Sequence, residues 1–420
     1  MPDSPWPRWF APLLLSALIA GCSRDPVPAP VAPAPPSASR VDAAALASLG
    51  RDLFFDASLS SPPGQSCASC HDPRWAFSTP RDRMNAGMAP GADPARFGMR
   101  NPPSLMYASF SPPRHLDPVR GTLVGGLMHD QRADSLEEQA LRPFFNPVEM
   151  ANTSAAALLA RLRRTTYAGT FGRLFGRGVL ADPATAMQAV AAALAAYQRS
   201  DAFAPFSSKF DAVTEGRAAF DASEARGFDV FRDRQRGNCV ECHSLGDAQG
   251  WRALFTDFSS HNLGLPPNRA NPFYRMPATI NPDGAGFVDL GVARDPQRAG
   301  MEGRFRVPTL RNVAVTSPYM HNGVFASLGE AVRFYTTGCL AGNPDGWAQP
   351  EVAAGRECGQ IGRLTLTARD SADLVNFMYT LTDGWYDPKT GLPGPMQVVP
   401  GSQRFGAGAP TSRLITTSSN

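Results

Sequence analysis

Two pentapeptides carry chemistry that can be named from residue type and spacing alone: Cys67-Ala-Ser-Cys-His71 and Cys239-Val-Glu-Cys-His243. Thiols at i and i+3 fall on one face of a helical turn, where they form thioethers to the two vinyl groups of a single haem. The histidine that follows directly then reaches the iron. A zinc site needs further ligands, and a thioredoxin-like pair belongs to a different context. The two motifs therefore predict two covalently bound haem c groups, with His71 and His243 as proximal ligands. Of the seven cysteines, four are used here. Cys22 stands near the N-terminus, and Cys339 and Cys358 flank a Gly/Pro-rich loop. In an oxidising compartment these last two form a disulfide, free thiols being the alternative.

The opposite face of each iron decides function, because a haem with two protein ligands moves electrons and one with an open position binds and activates a ligand. An internal repeat bears on this. Met128-His129-Asp130 through Ser135-Leu136-Glu-Glu138 matches Met320-His321-Asn322 through Ser327-Leu328-Gly-Glu330 without a gap, each pair separated by 192 positions. Gly50-Arg-Asp-Leu53-Phe54 and Gly227-Phe-Asp-Val230-Phe231 precede the two motifs, and Pro103-Ser-Leu105 echoes Pro308-Thr-Leu310. The offset of 192 carries Pro143 onto Tyr335. Proline cannot ligate iron, whereas tyrosinate does. The repeat thus predicts an N-terminal haem open on its distal side and a C-terminal haem closed by Tyr335, with Met320 as the rival ligand. An open site facing peroxide needs a group that takes a proton from one oxygen and returns it to the other. Glu149 is the candidate; it lies in Phe144-Phe-Asn-Pro147-Val-Glu149-Met150, a stretch with no counterpart in the second half.

The elements that hold these groups read as mainly α. Asp182 as cap, Pro183 in the first turn and Met187, Val190, Leu194 and Tyr197 at helical spacing mark a strong helix between the halves. A second cap is expected at Ser223, with a boundary near Gly216. Strand-like alternation is scarce. The expected organisation is two tandem cytochrome c-like haem domains, 44–215 and 216–400. Ahead of them, Arg8 precedes an apolar run over residues 11–20 that ends in Ile19-Ala20-Gly21-Cys22, which resembles a bacterial lipobox. The run is too short to span a bilayer. Residues 1–21 are read as a signal peptide, Cys22 as the lipidation site, 22–43 as a Pro/Ala-rich tether and 401–420 as a flexible tail. The expected location is the periplasmic face of a bacterial membrane, contacted only through the lipid, or otherwise the soluble periplasm. A net charge of +3 with no dense basic run argues against nucleic acid as a partner.

Taken together, the paired motifs, Arg100-Asn101-Pro-Pro-Ser-Leu105, Ser135-Leu-Glu-Glu-Gln-Ala140, Asn146-Pro-Val-Glu-Met150, Pro308-Thr-Leu-Arg-Asn312 and Pro318-Tyr-Met-His-Asn-Gly323 resemble the bacterial di-haem cytochrome c peroxidases, specifically their MauG-like branch. The resemblance implies peroxide chemistry at the N-terminal haem, with Glu149 as the distal glutamate and Gln139 and Pro143 lining the same pocket. It implies a relay haem whose axial position falls on Tyr335, and a calcium ion between the haems held by Asn101, Thr316 and Pro318. The electron donor would be a small c-type cytochrome or a cupredoxin; a MauG-like activity would instead oxidise side chains of a partner protein. A non-catalytic electron carrier is the reading from another class, and Pro143 argues against it. One departure stands out: the family usually places a Trp between the haems, where this chain has His129. Imidazole is harder to oxidise than indole, so His129 is either a conductor or a structural hydrogen-bonder. His115 and His261 are read as loop residues, with a spare iron ligand in one redox state as the alternative for either.

Overall fold

The computed structural model describes residues 42–246, 252–359 and 364–385. The signal peptide, Cys22, nearly all of the tether and the tail lie outside the described residues. Ten α-helices occur among those described: α1 Ala43–Phe55, α2 Cys67–Cys70, α3 Leu136–Phe145, α4 Ala155–Leu162, α5 Ala168–Phe175, α6 Pro183–Gln198, α7 Lys209–Thr214, α8 Ala222–Arg232, α9 Leu328–Thr337 and α10 Ala368–Tyr379. The sheet content is small: β1 (His115–Asp117) pairs antiparallel with β2 (Thr122–Val124), and β3 (Ser260–His261) with β4 (Phe305–Arg306). The molecule is mainly α. Among the described residues no helix is long and apolar enough to cross a membrane.

Two helix crossings repeat. α1 lies against α6 so closely that a Cβ on Gly50 would sit 1.9 Å from the Ala193 carbonyl oxygen. In the second half, α8 meets α10 in the same way, and a Cβ on Gly227 would sit 2.0 Å from the Asp373 oxygen. Glycine is required at both positions because nothing larger fits between the two backbones. Each crossing seeds an apolar cluster. Leu49, Leu53, Phe54, Phe144, Val190 and Phe203 belong to the first, and Phe210, Val230, Phe231, Phe255, Leu374 and Phe377 to the second. α7, which ends before position 216, packs with the second cluster through Phe210.

The capping residues explain where these helices start. The Asp182 side chain accepts from the Thr185 amide with Pro183 next in line, so α6 begins where the sequence predicts. For α8 the expectation needs correction, since the cap is Asp221 and not Ser223. The Asp221 carboxylate accepts from the Ser223 and Glu224 amides and Glu224 closes the box, while the Ser223 hydroxyl is turned to Asp373. His115 and His261 also differ from expectation, sitting in β1 and β3 and not in loops.

Two buried arginines join the halves. The Arg311 side chain, with no exposed surface, pairs with Asp211 at 2.8 Å and lies over the rings of Tyr107 and Phe206. Arg100 reaches Asp130 at 2.7 Å and Asp289 at 2.6 Å, tying one carboxylate from each half.

Candidate active site

Both histidines of the motifs are fixed by one backbone acceptor. His71 Nδ1 lies 3.0 Å from the Phe77 carbonyl and His243 Nδ1 lies 2.9 Å from that of Phe255. A carbonyl only accepts, so Nδ1 carries the proton in each ring and Nε2 keeps its lone pair for a metal. Burial holds both imidazoles below their ordinary pKa, His71 at about 4. The acceptor loops are pinned the same way in both halves: Ser104 Oγ donates to the Ala76 carbonyl at 2.5 Å and Thr309 Oγ1 to that of Leu254 at 2.6 Å. Cys67, Cys70, Cys239 and Cys242 form no disulfide. Burial pushes the Cys67, Cys70 and Cys239 thiols up to about 12, so these sites do not stabilise a reactive thiolate.

A surface pocket at the end of α3 is lined by Met128, Arg132, Leu141, Arg142, Phe145 and Glu149, among others. α3 ends at Phe145, and the chain then folds into a tight turn about Asn146. The Glu149 and Ala151 amides both donate to the Asn146 carbonyl at 3.0 Å, and the Val148 amide donates to Asn146 Oδ1 at 3.2 Å. Asn146 Nδ2 donates to Glu149 Oε1 at 2.7 Å, which aims the carboxylate. Burial raises the Glu149 pKa above its ordinary 4.5, opposed by the charge of Arg132 and by the Asn146 hydrogen bond. The carboxylate raises the pKa of both Cys67 and Cys70, which places it within electrostatic reach of the first motif. Pro143 receives the Met150 amide on its carbonyl at 3.1 Å, so the end of α3 and the Glu149 turn are tied together. Gln139 is on the same helix, but neither it nor Pro143 lines this pocket.

A larger cavity adjoins the second motif. Cys239, Cys242, His243, Met320 and Tyr335 all line it. Tyr335, on α9, makes no hydrogen bond through its hydroxyl among the described residues, and burial pushes its phenol pKa well up. Met320 and its repeat partner Met128 share a left-handed backbone, φ 73° and 70°. At the rim, His261 is engaged on both nitrogens, with Glu357 Oε2 2.5 Å from Nδ1 and Ser259 Oγ 2.8 Å from Nε2. Burial disfavours its charge, but Cys242 and Glu357 outweigh burial and raise its pKa to about 10. A disulfide joins Cys339 to Cys358 beside this cavity.

Residues 44–219 match the family model for di-haem cytochrome c peroxidase. The methylamine utilization protein MauG of Paracoccus denitrificans is 43% identical over 361 residues, 82% of this chain and 90% of that protein. The chain belongs to the di-haem cytochrome c peroxidase family. It is an oxidoreductase that acts on peroxide. The cytochrome c551 peroxidase of Nitrosomonas europaea is 29% identical over 69% of this chain and 72% of its own length. The di-haem peroxidase BthA of Burkholderia thailandensis is similar in structure, with TM-score 0.70, 36% identity, and coverage of 83% of this chain and 89% of that one. Membership implies two c-type haems. The four unbridged thiols, each pair beside a histidine with Nε2 left free, fit them.

The residues expected around a cation and a conduction path line the cavity at the second motif of this di-haem peroxidase. His129 Nε2 donates to the Asn101 carbonyl at 2.8 Å, and burial with the nearby Arg100 charge lowers its pKa to about 4. Its repeat partner His321 stacks on Phe305 with ring centroids 3.6 Å apart, and neither of its ring nitrogens has a hydrogen-bond partner among the described residues. Asn101 Nδ2 donates to the Pro318 carbonyl at 2.6 Å, while Asn101 Oδ1 is buried without a partner. Thr316 and Pro318 line the same cavity as Asn101. Among the described residues no cluster of three His, Cys, Asp or Glu side chains could hold a metal; an amide oxygen with carbonyls is a different donor set, suited to calcium.

Two residues near this chemistry escaped the sequence reading. Asn146 was visible only as part of a motif, although an Asn three positions before a lone buried Glu is a turn-forming acceptor and donor at once. Arg306 was not visible at all. The repeat does contain a signal for it, since Arg306 stands two residues before Pro308 as Asn101 stands two before Pro103.

Proposed function

We propose that the chain reduces hydrogen peroxide to water at a pocket over the first motif, with electrons passed through the second haem from a small c-type cytochrome or cupredoxin. The observation that carries this reading is the Glu149 carboxylate, buried, aimed by Asn146 and near enough to the first CxxCH to raise the pKa of Cys67 and Cys70. The haems supply the iron that binds peroxide and holds oxidising equivalents. Glu149 takes the proton from the near oxygen of peroxide and returns it to the leaving oxygen, so water departs in place of hydroxide. Its raised pKa suits both halves of that transfer, because a carboxyl closer to neutrality both gives and accepts a proton more readily. Gln139 and Pro143 stand on α3 behind that pocket in this reading, and Pro143, which cannot ligate, would leave the iron position open.

The architecture that goes with this is two tandem cytochrome c-like domains, 44–215 and 216–400, with α7 packed on the second. Tyr335 would hold the iron of the second haem, with Met320 as its rival. Asn101, Thr316 and Pro318 would hold calcium, a reading that the buried Asn101 Oδ1 supports. His129 lies on the route between the haems. An exported, Cys22-anchored protein on the periplasmic face of a membrane accords with the Cys339–Cys358 disulfide.

Peroxide-driven oxidation of side chains in a partner protein is the second reading. Similarity to MauG along most of the chain favours it, as does Tyr335; His129 in place of the usual Trp weighs against it. Mixing the purified protein with peroxide, with and without reduced cytochrome c, separates the two. Steady turnover with the cytochrome supports the peroxidase reading, and slow decay of a long-lived oxidised state with no turnover supports the second. A protein whose spectrum ignores peroxide in every redox state refutes both.

A further inference from the structure

Two arginines line the cavity at the second motif, and they are treated differently. Arg311 is neutralised by Asp211. Among the described residues Arg306 forms no ion pair and its buried Nε has no hydrogen-bond partner; its guanidinium lies over the Phe258 ring, 5.9 Å to the centroid. It is screened from bulk solvent and faces the cavity, and burial alone lowers its pKa to about 10. The acidic groups around the same cavity are already engaged: Asp289 with Arg100, Glu357 with His261, and Glu351 with the Tyr274 hydroxyl. An unpaired guanidinium taken out of water costs several kcal/mol unless an anion meets it.

The backbone shows that this position is built and not incidental. The Asn101 amide donates to the His321 carbonyl at 2.8 Å, and the Arg306 amide donates to the His129 carbonyl at 2.8 Å. Asn101 and Arg306 precede equivalent prolines, and His129 and His321 are repeat partners, so the two hydrogen bonds are related by the internal duplication. One position presents an amide oxygen that suits a bound cation. Its twin presents a cation of its own.

We infer that Arg306 binds a carboxylate inside this cavity, and that the carboxylate is a propionate of the haem attached at Cys239 and Cys242. The inference rests on the reading of that motif as a haem site. The cavity is lined by Cys239, Cys242 and His243 and by none of Cys67, Cys70 or His71, which selects the second haem over the first. A guanidinium meets a carboxylate through two parallel N–H donors. The guanidinium would offset the negative charge of that propionate near the relay iron, which favours the reduced form.

The test is a spectropotentiometric titration of the holoprotein carrying Arg306→Gln or Arg306→Lys, with the haem count of each taken by pyridine haemochrome. Arg306→Gln should lower the potential of the second haem alone, by a tenfold change in its reduction equilibrium, 59 mV for one electron; Arg306→Lys should restore most of it. Two haems with both potentials unchanged in both variants would overturn the inference. Wild-type protein with fewer than two haems would instead defeat the haem reading beneath it. The source of the carboxylate is read from wild type: potentials indifferent to added acetate support the attached propionate, whereas a shift with acetate assigns the site to a free anion and overturns the propionate.

Discussion

Glu149→Gln is the sharpest perturbation of the proposed chemistry, because it removes a proton acceptor while keeping the shape of the side chain. Glutamine retains an Oε1 for Asn146 Nδ2, so the 2.7 Å hydrogen bond that aims the group survives. The turn survives too, since its three amide contacts to Asn146 use only backbone and the Asn146 side chain. What is lost is the transfer of a proton between the two peroxide oxygens. General acid–base catalysis of that kind contributes roughly 10²–10⁴-fold, or about 3–5 kcal/mol of barrier. Nothing else lining the pocket can substitute, because Glu149 is its only carboxylate and no histidine lines it. Stopped-flow mixing with peroxide should therefore show a second-order rate constant lowered by at least a hundredfold, at unchanged haem content and unchanged potentials. A variant that reacts within threefold of wild type would refute the assignment of Glu149, whatever its effect on stability.

Four other outcomes follow from the same geometry. Asn146→Ala removes a hydrogen bond that favours the charged carboxylate, so the Glu149 pKa, already raised, rises further; the acid limb of the pH–kcat/KM profile should move to higher pH, and an unmoved limb separates Asn146 from the carboxylate. His129→Trp keeps an N–H for the Asn101 carbonyl and offers an indole that is easier to oxidise, so inter-haem electron transfer should speed up; an unchanged stopped-flow rate takes position 129 off the path. Asn101→Ala should lose one equivalent of calcium by elemental analysis and mimic chelator-treated wild type in inter-haem rate, and calcium retained by the variant would remove Asn101 from the ligand set. Asp211→Asn leaves the Arg311 side chain buried without its counter-charge and should cost about 3–5 kcal/mol in urea unfolding; a loss under about 1 kcal/mol would mean that the cation finds another partner.

The parts of this molecule that were legible in sequence are those whose logic is local. The spacing Cys-x-x-Cys-His states its own chemistry, and Asp182-Pro183 marks a helix start, because each depends on residues within one or two turns. The duplication was legible for a related reason: matched residues at one constant offset expose the register of the whole second half, and with it the pairing of His129 with His321. Ser223 was misread because Asp221-Ala-Ser-Glu224 offers two capping residues two apart. The choice fell to Asp221 once Asp373, 150 positions away, took the Ser223 hydroxyl. His261 was read as loop because a strand of two residues leaves no alternation to see. Arg306 was invisible for a deeper reason, since lacking a partner is a property of three-dimensional surroundings and has no trace in neighbouring residues.

Arg311 and Arg100 each anchor in one half and answer to groups of the other, and neither has water to fall back on. Pulling the halves apart would strip the Arg311 guanidinium of the Tyr107 and Phe206 rings, and would separate Asp130 from Asp289 at the opposite ends of the Arg100 strut. The distance between the two haem sites is thus a fixed dimension of the protein, as in a device with two soldered terminals. Its throughput is then tuned by the potentials at the terminals and by what fills the gap, and a hinge has no part in it.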